Sequence, residues 1–379
     1  MARKILYLVS EDWYFVSHRL PMARAAQSAG YEVHVATRVG DCAEDIRREG
    51  FHLHPIQWRR GNMNPLRLLA AALETRGIYR QINPDLAHHV ALVPTLIGSL
   101  AAIGLPVVRL NAIAGLGFAF TSDTAKARAV RPLASLLLGW LLKRPHTTVL
   151  VQNPDDYAVV AKLGVRKDNI ALIPGSGVDT DLLTPMPEPA GPFTIAFVGR
   201  LLDDKGVRTL VRAHELLAQR GLTVRTLLAG EPDPSNPASI DERVLANWRR
   251  IPNLKLLGHV DDIGTVWVQA HVAVLPSRRE GLPKSLLEAA ACGRPLIATD
   301  VPGCREVARS DVNAVLVPPD DAKALADAIE TLLKDPSMRK RFASASRRIA
   351  VSEYSNERIA AEITRLYSRL LQQAPSSTL

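Results

Sequence analysis

Two doubly wound α/β domains, each built on a parallel sheet, are what the sequence predicts, and three observations predict them. Short β-rich apolar runs alternate with helical segments along nearly the whole chain, the pattern of right-handed βαβ units. The alternation breaks once, at Thr184–Pro192, where four prolines fall in nine residues. Such a segment can neither continue a helix nor sit in a central strand, so it reads as a linker. The 379 residues, 47% apolar and 22% charged, suit two or three globular domains with sizeable cores.

In order, Ile5–Val9 is a strand, Leu20–Ala29 a helix ending at Gly30, and Glu32–Ala36 a second strand. A helix over Leu66–Ile82 follows, then strand ends at Asp85–His89 and strands at Leu105–Leu110, Thr148–Gln152 and Ile170–Pro174. After the prolines the alternation restarts. Strand Thr194–Val198, helix Val207–Arg220 and strands Val224–Ala229, Leu254–Leu257 and Val272–Pro276 come first. Helix Lys284–Ala291, strands Pro295–Thr299 and Ala314–Val317, and helix Ala322–Lys334 complete the second half. Apolar residues three and four apart make Asn356–Leu371 a final helix. The expected division is a first domain over 1–184, a linker over 185–192 and a second domain over 193–355. The helix over 356–371 is expected to pack back on the first domain. Switch-point crevices at the C-terminal ends of such sheets bind ligands, so a cleft between the domains is expected to hold the site.

Composition removes several classes. Cys42, Cys292 and Cys304 are scattered and lack metal-ligand spacing, which argues for a reducing compartment and against structural zinc. The apolar run after Arg3 and Lys4 stops at Ser10-Glu11-Asp12, too early for a signal peptide. A cytosolic protein is therefore expected. No window approaches the unbroken apolar length of a spanning helix. The net charge of +9 and pI of about 9.6 call for an anionic partner: phosphate, nucleic acid or membrane surface. The excess leans to residues 1–186, with 21 Lys and Arg against 15 Asp and Glu.

Two clusters in the second half carry chemistry. After the strand at Val272–Pro276 comes Ser277-Arg-Arg-Glu280-Gly281-Leu282-Pro283-Lys284-Ser285-Leu286-Leu287-Glu288. Amides from about Gly281 to Leu286 would open a helix and offer an anion site. Glu280 and Glu288 bracket it and suit acceptance of sugar hydroxyls; alone, such a pair more commonly decorates a helix. Val198-Gly199-Arg200 and Lys205 follow the first strand of this domain, where Arg as a fork and Lys as a point charge can converge on a diphosphate. Neither G-x-G-x-x-G nor the P-loop pattern is present.

These residues resemble the retaining glycosyltransferases of family 4. The likeness rests on Glu280-x7-Glu288, Val198–Arg200 with Lys205, Ile173–Asp179, Thr299–Glu306 and Val317–Asp321, and runs from about residue 3 to 370. It implies the GT-B fold, two facing Rossmann-like domains with a cleft between them, and a hexosyltransferase activity. It implies that Arg200 and Lys205 bind and stabilise the nucleotide diphosphate as it leaves, that Glu280 contacts the transferred sugar, and that Glu288 holds the ribose. Gly199, Gly281, Leu282, Pro283, Lys284 and Ser285 complete the donor set, with Val260 near the base. Leu282-Pro283 stands where the family usually has an aromatic-Gly pair. Retention without an enzymic nucleophile implies front-face transfer, with electrostatic stabilisation as the main protein contribution. No metal and no cofactor is expected, the UDP-sugar being a co-substrate.

Ser10-Glu-Asp-Trp13-Tyr14-Phe15-Val-Ser-His18-Arg19 resembles the subgroup acting on undecaprenyl-diphosphate-linked sugars, such as the N-acetylgalactosaminyltransferases of glycan assembly. On that resemblance Ser10, His18 and Arg19 meet the acceptor, the last two its phosphates. His88 joins the catalytic set in the sugar pocket, and Asn111, Gly115 and Gly117 shape the same cleft. Lys126, Arg128, Arg131, Lys143 and Arg144 flank Leu133–Leu142 with Trp140, and Trp58-Arg59-Arg60 adds a second patch. Cations beside apolar groups suit an anionic membrane surface, so the expected place is peripheral on the inner face of the plasma membrane. A buried helix with solvated basic ends fits the same residues. No nucleic-acid motif appears. A transferase with a soluble acceptor, a nucleotide-sugar 2-epimerase and a non-catalytic binding protein remain open.

Overall fold

The structure is a computed structural model that describes residues 2–58, 64–113, 135–234 and 236–373. It divides into two compact units. Unit 1 is the chain up to Gly177 together with the chain from Asn356 onward, and unit 2 is Val178–Ser355.

Unit 1 is built on a seven-stranded sheet of order β3-β2-β1-β4-β5-β6-β7. Its strands are β1 (Lys4–Glu11), β2 (Glu32–Arg38), β3 (His52–Pro55), β4 (Leu86–Val90), β5 (Val108–Ile113), β6 (Thr147–Val151) and β7 (Ile170–Leu172). Every pairing is parallel. The central strands are buried on both faces, and β4 and β5 carry His88, His89, Arg109 and Asn111 into that interior. One face packs on the helix Asn356–Gln373 through Ile359, Ile363, Leu366 and Tyr367. The other packs on Pro65–Ile82 and Leu92–Ala101, where Leu6, Leu8, Tyr79 and Ile97 meet.

Unit 2 carries a six-stranded sheet of order β10-β9-β8-β11-β12-β13, all parallel. Its strands are β8 (Thr194–Val198), β9 (Arg225–Ala229), β10 (Leu254–Gly258), β11 (Val272–Leu275), β12 (Leu296–Thr299) and β13 (Ala314–Val317). In both sheets the winding reverses at one place, between β1 and β4 and between β8 and β11. Loops leaving the C-terminal ends of those strands are where doubly wound sheets bind ligands.

Several expectations are adjusted. The strand expected over Leu105–Leu110 begins only at Val108, because Pro106 lacks an amide for the ladder. The stretch after β1 is already helical over Asp12–His18. The edge strand β3 and the helix Pro336–Tyr354 were not anticipated. The latter carried a start signal in Asp335-Pro336, where Asp335 Oδ1 caps the Met338 amide at 2.8 Å. The proline-rich segment is packed on unit 2: Met186 N–H donates to Cys292 O, and Arg294 Nη2 to Pro187 O. Glu188 there forms a two-pronged ion pair with Arg339 at 2.6 and 3.1 Å. The chain passes between units at Gly177/Val178 and Ser355/Asn356.

Candidate functional site

In unit 2 the residues singled out in the sequence gather at the switch point. Lys205 Nζ lies 2.5 Å from Glu280 Oε1, and Ser277 Oγ donates to the same oxygen at 2.6 Å. The Glu280 side chain is 9% exposed, so its negative charge is held by one cation and one hydroxyl rather than by water. Arg200 points instead to Asp233, with Nη1 2.6 Å from Oδ2. On the helix Lys284–Ala291, Lys284 pairs with Glu288 at 3.5 Å. Burial pushes the Glu288 carboxyl up, and the Lys284 charge partly offsets it.

Glycines let these loops converge. Gly206 has φ +68, and a Cβ there would stand 1.9 Å from Pro276 O, so only glycine lets the loop after β8 touch the end of β11. Gly303, at φ +79, would place a Cβ 2.5 Å from Gly281 O, locking the Glu280-Gly281 loop against the loop after β12. Gly199, Gly230 and Gly258 line up across the ends of β8, β9 and β10: Gly199 N–H donates to Ala229 O, and Gly230 N–H to Gly258 O at 2.7 Å. Val260, two residues on, is half-buried against the unit 2 core.

Leu282 and Pro283 are buried, and Pro283 is the N-cap of Lys284–Ala291 without a side-chain cap bond. The Leu286 amide, expected among the anion donors, is taken by Pro283 O at 3.1 Å. Ser285 stays in the first turn, where an amide has no intrahelical acceptor. Ser277 and Gly303 lie inside stretches that the sequence singles out but carry no role there, and Asp233 is not singled out at all. Asp233 lies 33 residues from the arginine it binds, and no spacing announces such a pair.

In unit 1 the switch point is built differently. Ser10, one residue before the end of β1, is buried. Arg19 links the helices Asp12–His18 and Leu20–Ser28 and is 1% exposed. One guanidinium nitrogen, Nη1, donates to His18 O at 3.2 Å, while Nε and Nη2 have no hydrogen-bond partner among the described residues. His18 stacks on Tyr14 with ring centres 4.2 Å apart. His88, fully buried on β4, bonds through Nδ1 to Tyr367 Oη at 2.7 Å, and Tyr367 Oη meets Tyr7 Oη at 2.8 Å. The His88 Nε2 atom has no hydrogen-bond partner among the described residues. Burial, with help from the Arg19 charge, holds the His88 imidazole well below its usual basicity, so it is neutral.

Asn111 is not brought to this cluster. His88 and His89 project from opposite faces of β4, and Asn111 sits with His89: its Oδ1 meets His89 Nδ1 at 2.6 Å and accepts from Ser99 Oγ at 3.2 Å. Those bonds make it part of the packing under Tyr79, whose Oη reaches His89 Nε2 at 2.7 Å. Gly115 and Gly117 lie outside the described residues, as do Lys126, Arg128, Arg131, Arg59 and Arg60. Ala91, directly after β4, has φ +78, a strained conformation for a residue with a Cβ and one that clusters at ligand sites. Tyr7 and Tyr367 escaped the sequence reading; Tyr367 reaches His88 across 279 residues.

Two parallel-sheet units with polar and charged side chains at both switch points define a protein that binds ligands at the ends of two Rossmann-like sheets. Comparison narrows this further. The family described as "Glycosyl transferase 4-like" matches residues 4–153, and "Glycosyl transferases group 1" matches 192–335. A Campylobacter jejuni N,N'-diacetylbacillosaminyl-diphospho-undecaprenol alpha-1,3-N-acetylgalactosaminyltransferase is 24% identical over 368 residues, 93% of this chain and 95% of that one. The capsular polysaccharide biosynthesis glycosyltransferase CapM of Staphylococcus aureus is 30% identical over 182 residues, about half of each chain. The solved structure of Anabaena Alr3699/HepE in complex with UDP and glucose superposes with a TM-score of 0.77 at 18% identity, covering 97% of this chain and 99% of that one. The chain belongs to the glycosyltransferases of the GT-B fold. Among the described residues, no helix is long and apolar enough to cross a membrane.

Proposed function

We propose that this enzyme is a retaining glycosyltransferase of family 4 that moves an N-acetylhexosamine or hexose from a UDP-sugar to a polyprenyl-diphosphate-linked sugar in polysaccharide or glycan assembly. The observation that carries the acceptor class is Arg19. A guanidinium 1% exposed with two nitrogens unbonded among the described residues is costly to keep unless an anion completes it. A phosphate oxygen matches that fork, and a soluble neutral sugar does not. The Campylobacter and Staphylococcus relatives, named for an undecaprenol-diphosphate acceptor and for capsular polysaccharide, support the same class. The UDP-bound Anabaena structure supports a UDP donor.

In this reading the donor diphosphate draws Lys205 from Glu280 and Arg200 from Asp233. That frees the Glu280 carboxylate to accept from sugar hydroxyls as the cations take the phosphate charge. Bond breaking to the leaving phosphate then builds charge where Lys205, Arg200 and the amides opening Lys284–Ala291 already stand. The departing phosphate oxygen accepts the acceptor hydroxyl's proton, and transfer on the same face retains configuration. Lys205 and Arg200 supply the positive charge, so the reaction is written without a metal or cofactor. Neutral His88 lines the acceptor pocket beside Arg19.

Membrane association at an anionic inner leaflet belongs to the same proposal. Leu136 and Trp140 are 71% and 46% exposed, with the Arg144 guanidinium 4.6 Å from the Trp140 ring centre, an aromatic-cation pair suited to a headgroup layer. The test is UDP release over a panel of UDP-sugars, with and without a polyprenyl-diphosphate monosaccharide. Release with one donor that depends on the lipid supports the reading. Equal donor consumption without acceptor refutes it in favour of an epimerase or hydrolase, and silence with every UDP donor directs attention to GDP-sugars.

A further inference from the structure

A second cluster of chemistry-bearing side chains lies at the opposite end of the unit 1 sheet, and the transfer reaction does not use it. Glu32 and His34 are on β2, and His52 and His54 are on β3, where His34 is the register partner of His52. All four are on one face, since alternate residues of a strand share a face and parallel neighbours are in register. Glu32 opens β2 beside Lys4, the first residue of β1, so the cluster is about 20 Å along the strands from Ser10 at the ligand-binding end.

The ligand atoms converge. His34 Nε2 lies 2.9 Å from Glu32 Oε1, His52 Nε2 lies 3.6 Å from the same oxygen, and one donor atom from each residue falls within 4.8 Å of the others. Bonds of 2.0–2.1 Å at tetrahedral angles hold ligand atoms roughly 3.4 Å apart, so the closest of these spacings bracket what a zinc ion demands. His34 Nδ1 lies 3.0 Å from His54 Nε2. When Nδ1 carries the proton and donates to His54, the Nε2 lone pair is turned toward Glu32, and two acceptors then face each other at 2.9 Å, a spacing that a cation held by both would widen by about 0.5 Å. His54 there takes the place that a carboxylate, a backbone carbonyl or water ordinarily holds behind a metal-bound histidine. The rings of His34 and His52 stack 4.8 Å apart, and those of His34 and His54 5.2 Å apart, so the set is packed into position. The competing cation is Lys4, whose Nζ is 4.0 Å from Glu32 Oε1 and also 3.3 Å from Ile82 O. It stands at the outer limit of an ion pair and has a second acceptor to turn to.

We propose that Glu32, His34 and His52 bind one divalent first-row transition ion, with His54 orienting His34. Two imidazoles and one carboxylate, with a fourth position left to water, suit zinc best. Bound there, the ion ties the short edge strand β3 to β2 far from the transfer chemistry. Cysteine spacing carries no zinc signal in this chain; the histidines at alternate strand positions do.

The experiment uses the full-length chain freed of metal by chelation, titrated with cobalt(II) and then zinc(II). Expected are one equivalent of cobalt with the intense visible absorption of a four-coordinate ion, its displacement by zinc, and a melting temperature raised by zinc. His52 and Glu32 are exposed enough to change without unfolding the sheet, their side chains being 57% and 33% accessible. His52→Ala and Glu32→Gln each abolish the stoichiometric site, and His54→Ala weakens it about 10–100-fold while keeping the cobalt spectrum. His146→Ala, at an exposed histidine elsewhere in unit 1, leaves binding unchanged. No stoichiometric binding by the wild-type chain overturns the proposal. So does binding that survives either His52→Ala or Glu32→Gln, or that His146→Ala removes. UDP release plays no part in the readout, so failure here and failure of the transferase reading are separate outcomes.

Discussion

The switch points of the two sheets occupy equivalent places in equivalent folds, yet they handle charge in opposite ways. In unit 2 the cations and carboxylates neutralise one another: Lys205 with Glu280, Arg200 with Asp233, Lys284 with Glu288. In unit 1 Arg19 has no carboxylate partner among the described residues, and His88 keeps an unbonded nitrogen in a fully buried place. A self-neutralised site releases its charges only to a ligand that out-competes the internal partners. A buried, incomplete site is strained toward any ligand that completes it. The first arrangement suits a doubly charged diphosphate arriving from water, and the second an anion that enters with its apolar carrier.

The largest effect is expected where the charges trade partners. Lys205→Ala should lower kcat for UDP release about 10²–10³-fold, the usual loss for one electrostatic contact to a developing anion. Glu280→Gln should match it, and a loss below tenfold in both would break the assignment of unit 2 as the donor side. Next come the glycine crossings. Gly206→Ala, with a Cβ 1.9 Å from Pro276 O, should cost about 3 kcal/mol or more, whereas Gly30→Ala, with φ +88 and open space around it, should cost about 1 kcal/mol. Urea midpoints of the two variants measure the contrast.

Arg19→Met sharpens the unit 1 half of the comparison. It should reduce turnover of the diphosphate-linked acceptor by roughly thirtyfold, equivalent to about 2 kcal/mol. Removing an incompletely bonded buried cation should at the same time leave the melting temperature equal or higher. A lower melting temperature with unchanged turnover would mean that Arg19 serves the fold alone. The smallest effect concerns pH. Burial raises the Glu288 carboxyl above its usual 4.5, so the folded chain holds that proton more tightly than the unfolded one. Its contribution to stability is full below the unfolded value and is lost as pH rises through the raised one. Relative to wild type, Glu288→Gln should therefore be more stable at neutral pH than at acid pH. In the wild type the donor KM should rise as acidification protonates the carboxylate, and the variant should lose that pH dependence.

Much of the scaffold was legible because its signals are local. Lys284–Ala291, Ala314–Val317 and Ala322–Lys334 fall where the apolar periodicity puts them, since the burial of one helix stripe or one strand is written in its own residues. The unit 2 cluster was legible for the same reason: Gly199, Arg200 and Lys205 follow one strand, and Glu280 to Glu288 follow another. The sequence by itself thus determined the α/β class, the place of the strand-end loops and the residue types that fill them.

Only the tertiary structure decided which of those residues stand alone. The sequence places Arg19 beside the acceptor's phosphates only by resemblance and does not announce its burial, near enough to Tyr7, His88 and Tyr367 for its charge to act on all three. Asn111 and His88 lie inside the neighbouring strands β5 and β4, but sheet register sends Asn111 to the opposite face with His89. The proline-rich segment looks like a free linker until Arg294 and Arg339 bind it, and the histidines at 34 and 52 meet only when β3 joins β2. Each of these pairings joins residues far apart in the chain, whose closeness comes from packing many other groups. No local pattern carries that information.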